Sequence, residues 1–239
     1  TVIGEVLGID PDSIRVVRPN SLESLPGNSP VGSRMAIMLG GAAARAAEKL
    51  KAKIIAIATH QLQCDAASIH YQGGNMLSAD GRQISWDDII ELAHRQIHGL
   101  PDGMDPGLAS FDIMQVPTGG DLPKDGKVHM YPCYSFEFHL VLVAFDPIIG
   151  KPEIRSYTIG HDCGTVINPA IVSGMTYGGI AHGIGAALFE EFAYDESGQL
   201  MTQSFLDYLM PSSHEVPDIQ LVKHCTPSPH TVFGQKGSG

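Results

Sequence analysis

The sequence predicts an α+β fold of layered sheets and helices, and three stretches predict it. From Ser33 to about Gln63 the pattern is helical: Met35, Met38, Leu39, Ala42, Ala46, Leu50, Ile54, Ile57 and Ala58 share one broad face. After Tyr134, residues Phe136, Phe138, Leu140, Leu142 and Ala144 alternate with Glu137, His139, Val141 and Val143, the period of a strand that is half-buried or better. From Asn168-Pro169 a second long helical stretch carries Gly174, Gly178, Gly179, Gly183 and Gly185. Helices and hairpin-like strand pairs in separate runs are the pattern of an α+β chain.

With 239 residues, 43% hydrophobic and 17% charged, the chain is long enough for one large domain or two small ones. The expected division is 1–127, holding the first long helix, and 128–239, holding the glycine-rich helix and a glycine-rich terminal loop. The net charge of −11, from 15 basic and 26 acidic residues, disfavours nonspecific binding to nucleic acid or anionic membrane. No apolar run approaches the ~18 residues of a transmembrane helix, so no membrane span is expected. Cys64, Cys133, Cys163 and Cys225 show no C-x-x-C spacing and read as reduced thiols of a cytoplasmic protein. The opening Thr1-Val2-Ile3 lies inside a helical pattern, with neither initiator Met nor signal peptide, and the end falls in a glycine loop; the chain reads as a fragment or split subunit.

In order, residues 1–9 fit the tail of an amphipathic helix that Asp10-Pro11-Asp12 breaks, and Ile14 to Val17 reads as a strand. Residues 19–32 are a Pro/Ser/Asn/Gly loop. The small residues at 40–47 leave room for a neighbour against the first long helix. Ser68 to Tyr71 and Met76 to Ala79 suggest a hairpin about Gly73-Gly74-Asn75. Ser85 is an N-cap for a helix running to about Ile97, with Asp87 and Asp88 suited to its dipole. Residues 99–127 read as a surface connection without chemistry. The strand from Tyr134 turns at Asp146-Pro147 and Gly150-Lys151, and Ile154 to Gly160 returns to deliver His161-Asp162-Cys163-Gly164. Asn168 as N-cap and Pro169 at the first helical position start the glycine-rich helix. A helical Gly costs up to ~1 kcal/mol relative to Ala, so five need a reason, which is close packing against a backbone or a flat ligand on one face. His182, among them, is either a buried, hydrogen-bonded core histidine or a functional group. Phe192 to Tyr194 and Leu200 to Ser204 suggest a hairpin, and Ile219 to Cys225 a last strand.

Three segments suit anions. Gly234-Gln235-Lys236-Gly237-Ser238-Gly239 is a loop whose backbone N–H groups can form a nest, with Lys236 adding a mobile positive charge and Ser238 a hydroxyl. Gly32-Ser33-Arg34 stands at a helix N-terminus, where the plainer alternative is a Ser N-cap beside a solvated Arg. Residues 162–168 form the third. Together they suit a large phosphate-bearing cofactor, although no strand–GxGxxG–helix and no GxxxxGK[ST] is present. His161 and Cys163 share a strand face but lack a partner pair, so no protein metal ligands are expected.

The run His161 to Pro169, the segment Gly178-Gly179-Ile180-Ala181-His182-Gly183-Ile184-Gly185, Glu190-Glu191, Ser29-Pro30-Val31-Gly32-Ser33-Arg34 and the end Gln235 to Gly239 resemble, in this order along the family's chain apart from the 29–34 segment that precedes them, the molybdenum-binding subunit of the xanthine dehydrogenase / aldehyde oxidase / carbon monoxide dehydrogenase family. The resemblance covers nearly the whole chain and implies the C-terminal portion of that subunit. It implies a molybdenum–molybdopterin cofactor, in its cytosine dinucleotide form. Ser33 and Arg34 would lie near the pterin, with Gly32 beside them; Asp162, Cys163 and Asn168 near the nucleotide; Lys236, Gly237, Ser238 and Gly239 against the pterin and the metal's ligands through their backbone, with Gln235 also among the cofactor-binding residues. His182 stands where much of the family has a Gln. The implied partners are an N-terminal molybdopterin-binding half, an iron–sulfur subunit with [2Fe-2S] clusters and an FAD subunit. The implied reaction is hydroxylation of a small aldehyde or N-heteroaromatic-type molecule with water as oxygen donor. The family's general-base glutamate is expected directly after Gly239, so no catalytic residue is assigned within 1–239. The alternative is a truncated, non-catalytic binding or assembly module lacking that glutamate.

Overall fold

A computed structural model describes the chain except residues 19, 23–26, 28–30, 73, 116–124, 128–130 and 239. The chain divides into two compact units, Thr1–Val116 and Pro117–Gly239.

In the first unit a short helix α1 (Val2–Leu7) packs on the long helix α2 (Met35–Leu62). Three short strands follow: β1 (His70–Gln72), β2 (Asn75–Leu77) and β3 (Gln83–Ser85), in one antiparallel sheet of that order. They lead into α3 (Trp86–His94). Ile54, Ile57, Ala58 and Leu62 of α2 meet Met76, Ile84, Ile89 and Ala93 in the core. The long helix forms where it was expected, but only the Ile54, Ile57 and Ala58 end of the expected face is buried: in its first half Met35 and Leu39 are exposed and Ile37, Gly40, Gly41, Ala44 and Ala47 are buried instead, and α3 ends at His94, short of Ile97. Ser85 caps α3 in a reciprocal box: its hydroxyl accepts from Asp88 N at 3.0 Å, and Asp88 Oδ2 accepts from Ser85 N at 3.3 Å.

Several expectations change. Residues 14–17 form no strand; Val16 and Val17 are exposed, and a strand without a pairing neighbour has nothing to satisfy its backbone. The expected hairpin is shorter and gains a third strand, β3, joined by a turn in which Asp80 accepts from Ser78 and Arg82. Part of 99–127 is not a bare surface connection. Ser110 donates to Ala46 O at 2.7 Å, Asp112 pairs with Lys49 at 2.7 Å and Arg45 at 3.3 Å, and Met114 lies against Gly41. The small residues of α2 thus take a strap from its own unit. Expected positions 116–124 lie outside the described residues.

The second unit is built on β4 (Phe136–Asp146) and β5 (Lys151–Asp162), an antiparallel pair closed by the Asp146–Gly150 turn. Helix α4 (Pro169–Leu188) follows, and β6 (Ile219–Lys223) returns parallel to β5. Asn168 Oδ1 accepts from Ala170 N and Ile171 N, both at 3.1 Å, and Pro169 occupies the first turn, as its fixed φ favours. Ile180 and Ile184 of α4 cover Ile159 on one sheet face. The other face is open: Phe136, Phe138, Leu140 and Leu142 are 63–70% exposed, not half-buried as the alternation predicted. The expected hairpin at 192–204 reduces to one bridge, Tyr194–Leu200, because the Asp195 carboxylate gathers Ser197 N and Gln199 N into a turn between them.

Candidate functional site: a clasped glycine loop

Strand β5 ends in His161-Asp162-Cys163-Gly164, all buried. The segment after β6 turns back across this end. Lys236 N donates to Cys163 O at 2.7 Å, Thr165 N to Gly234 O at 3.2 Å, and Gly164 bridges Gln235. The approach is as close as two backbones allow. Gly164 has φ +67, and a Cβ there would stand 2.2 Å from Gly234 O.

Side chains then lock the clasp. Asp162 Oδ1 accepts from Gly164 N at 2.8 Å and Thr226 N at 3.1 Å; Oδ2 accepts from the Thr226 hydroxyl and, at 3.1 Å, from Lys236 Nζ. Burial alone pushes the Asp162 carboxyl up, but the Thr226 hydroxyl, the two N–H groups and the Lys236 ammonium outweigh it and hold it well below the usual carboxylate range. Burial pushes the Cys163 thiol up, so Cys163 sits as a neutral thiol. Gln235 is 1% exposed, and its Oε1 accepts from Phe233 N at 2.9 Å.

This arrangement corrects one expectation. Lys236 is not a mobile charge: its ammonium is buried against Asp162 and Thr226 and sits 5.4 Å from the Phe136 ring centre. What the loop offers outward is backbone. Among the described residues the N–H groups of Gly237 and Ser238 donate to nothing, and the Ser238 hydroxyl is buried without a partner. Gly239 and the motif residues Ser29 and Pro30 lie outside the described residues.

Helix α4 presents a second surface. A Cβ on Gly185 would meet Glu190 Oε1 at 2.1 Å, so that glycine is explained by its own unit. Glu190 is held there by the Tyr208 hydroxyl, which donates at 2.6 Å. Gly174, Gly178, Gly179 and Gly183 have nothing within 4 Å of such a Cβ. His182 is exposed and hydrogen-bonds to nothing among the described residues, which overturns the buried-core reading. Between α4 and the opposite strands lies an open groove of about 560 Å³. Glu137, His139 and Tyr157 make its polar end: His139 Nδ1 lies 2.9 Å from the Tyr157 hydroxyl, and the Glu137 carboxylate lies 3.4 Å from both His139 Nε2 and the buried His161 Nε2. The last contact lacks hydrogen-bond geometry, so His161 Nε2 is unsatisfied.

In the first unit, Gly32 and Ser33 both adopt left-handed backbone, φ 66 and 53, and are exposed at the start of α2. The Ser N-cap expectation is corrected: Arg34 occupies the N-cap position, its side chain does not cap the helix, and Arg34 Nε donates to Val31 O at 2.6 Å. A non-glycine residue held left-handed costs roughly 1–2 kcal/mol, a strain that collects at functional positions.

Thr226 and the Glu137–His139–Tyr157 group were not found from sequence. Thr226 is 64 residues from Asp162, and no local pattern links them. Glu137 and His161 are cross-strand neighbours, legible only once the register is known.

The buried clasp with its unpaired donors and the open glycine face of α4 are the candidate site of the second unit. Residues 1–217 match the family described as molybdopterin cofactor-binding domain, and the chain belongs to that family. It is 33% identical to the large subunit of nicotine 6-hydroxylase from Paenarthrobacter nicotinovorans over 240 residues, 100% of this chain and 28% of that protein. Reconstituted carbon monoxide dehydrogenase from Oligotropha carboxidovorans superposes with a TM-score of 0.83 at 28% identity, covering 100% of this chain and 28% of that one. Quinoline 2-oxidoreductase from Pseudomonas putida 86 superposes with a TM-score of 0.80 at 29% identity, over 99% and 28%. The chain thus spans 28% of the length of these relatives. They confirm the α+β molybdenum-binding subunit that the motifs resemble. No helix among the described residues is long and apolar enough to cross a membrane.

Proposed function

We propose that this chain is the molybdopterin-binding portion of a molybdenum hydroxylase, acting on an aldehyde or N-heteroaromatic-type small molecule with water as oxygen donor. The observation that carries the reading is the set of donors left without a partner among the described residues, Gly237 N–H, Ser238 N–H and the buried Ser238 Oγ, fixed by the clasp beside them. Unpaired donors of this kind fit the oxygen- and nitrogen-rich edge of a pterin cofactor. That cofactor, when bound, supplies the redox chemistry through its metal.

The chain's own residues bind and orient. In this reading Gly237, Ser238 and Gly239 contact the pterin side through backbone, while Gln235 and Lys236 support them from inside. Cys163 and Asn168 serve the nucleotide of a cytosine dinucleotide form, and Asp162 serves it through the backbone, since its carboxylate is already filled. His182, exposed on the glycine face, is free to donate to the cofactor. Gly32, Ser33 and Arg34 contact the pterin as a separate contribution of the first unit. The scheme assigns the metal no protein ligand. A cytoplasmic complex with a further molybdopterin-binding half, an iron–sulfur subunit and an FAD subunit completes the proposal.

The test is metal analysis of the natively purified protein, with pterin fluorescence after oxidation and intact masses of every co-purifying chain. Molybdenum and pterin with larger, iron-containing partners support the hydroxylase. A purified chain without molybdenum or pterin refutes it and leaves a binding or assembly module.

A further inference from the structure

Thr226 makes three of the contacts that close the clasp. Its N–H donates to Asp162 Oδ1 at 3.1 Å, its hydroxyl donates to Asp162 Oδ2, and the same oxygen accepts from the Lys236 ammonium at 2.7 Å. A hydroxyl carries one proton and two lone pairs, so it serves carboxylate and ammonium together. The two residues that follow also hold the loop. Ser228 N donates to Gly234 O at 2.9 Å, and Pro227 packs so closely on Gly234 that a Cβ there would meet its Cβ at 2.6 Å.

Lys236 is 8% exposed, and its ammonium nitrogen lies 3.1 Å from Asp162 Oδ2, 2.7 Å from the Thr226 hydroxyl and 5.4 Å from the Phe136 ring centre. Without the Thr226 oxygen the ammonium keeps one carboxylate oxygen and loses an acceptor inside a buried site. The alternative for a long, flexible side chain is solvent, and following it draws the adjoining backbone off its path.

We infer that Thr226 is a positioning residue for the ligand loop: by holding the Lys236 ammonium against Asp162, it turns that side chain inward and sets the path on which Gly237 and Ser238 meet the cofactor. The role of the loop itself rests on the molybdopterin-binding reading above.

The test compares Thr226→Val, which keeps the shape and removes the hydroxyl, with Thr226→Ser, which keeps the hydroxyl. Both are made in the natively purified protein with its partners. Amide exchange is read in the peptide spanning residues 233–238 and in β5, and bound pterin is read by fluorescence per mole of chain after gel filtration. In Thr226→Val, exchange in the loop peptide rises about tenfold, the consequence of losing a charge-assisted hydrogen bond, while β5 stays protected. Pterin retention falls in the same variant, and Thr226→Ser restores both to within about twofold of wild type. Unchanged loop exchange in Thr226→Val overturns the inference. So does faster exchange with full pterin retention, which makes Thr226 merely structural, or a Thr226→Ser protein as impaired as Thr226→Val. A wild-type protein without pterin defeats the functional reading instead, and the exchange rates alone then decide whether Thr226 sets the loop.

Discussion

Gly164→Ala tests the clasp at its tightest point. The substitution places a methyl group 2.2 Å from Gly234 O and 3.2 Å from Lys236 Cγ, at φ +67. An ordinary carbon–oxygen contact is about 3.3 Å, so the carbonyl must retreat by about 1 Å. That retreat stretches Thr165 N to Gly234 O, now 3.2 Å, and Lys236 N to Cys163 O, now 2.7 Å. The left-handed backbone costs roughly 1–2 kcal/mol with a Cβ, and overpacking adds roughly 1–3, for a loss of about 3 kcal/mol. Gly198→Ala separates the two contributions, because Gly198 has φ +83 and nothing within 4 Å. It carries the backbone cost alone. Urea unfolding followed by far-ultraviolet circular dichroism should show Gly164→Ala about 2 kcal/mol less stable than Gly198→Ala. Equal stabilities, within about 0.5 kcal/mol, would mean that the loop yields freely and that the clasp does not hold it.

Asp162→Asn removes a carboxylate whose folded pKa lies below its unfolded value, so the stabilisation is present above the unfolded pKa, near ~4, and is lost only as pH falls through the lower folded value. The stability difference between wild type and Asp162→Asn is therefore flat from pH 8 to about 4 and shrinks below that; a decline already under way near pH 6 contradicts the geometry. Gly185→Ala, which meets Glu190 and Pro211, costs roughly 1–3 kcal/mol, whereas Gly178→Ala meets nothing and stabilises the isolated chain by up to ~1 kcal/mol in a thermal melt. The same sign at both positions counts against the open-face assignment. Ser85→Ala loses the capping box and about 1 kcal/mol, read by fluorescence of the adjacent Trp86; no change would show that the box is ornamental to α3. The isolated chain, with Phe138 and Leu140 on an uncovered face, self-associates in analytical ultracentrifugation, and Phe138→Lys with Leu140→Lys raises the monomer fraction; a monomeric wild type refutes this.

Much of the fold is legible because local chemistry specifies it. Asn168-Pro169, Ser85 with Asp88 and the long apolar face of α2 each state a helix in neighbouring residues, and each helix forms there. The misses are of a different kind. Strand β3 has three residues, the last of them the cap of α3, too few to show a period. Val16 and Val17 have strand propensity but no pairing strand among the described residues, and propensity without pairing does not make a strand. Thr226 and Asp162 come together only through the parallel return of β6, which no spacing announces.

Periodicity reports that two faces differ, not that either is covered. The alternation along β4 is real, yet one face is open within its unit, just as four glycines of α4 face nothing while Gly185 is filled by Glu190. Sequence treats the five glycines alike because their cost in helix propensity is the same; only the neighbours separate one used internally from four left exposed. The same logic reverses the reading of Lys236. By composition it is a cation in a flexible loop, and by contacts it is half of a buried pair whose charge Asp162 cancels. In the proposed reading, an anion or pterin meeting this loop meets fixed backbone donors, which act by geometry, and the lysine contributes by staying turned away.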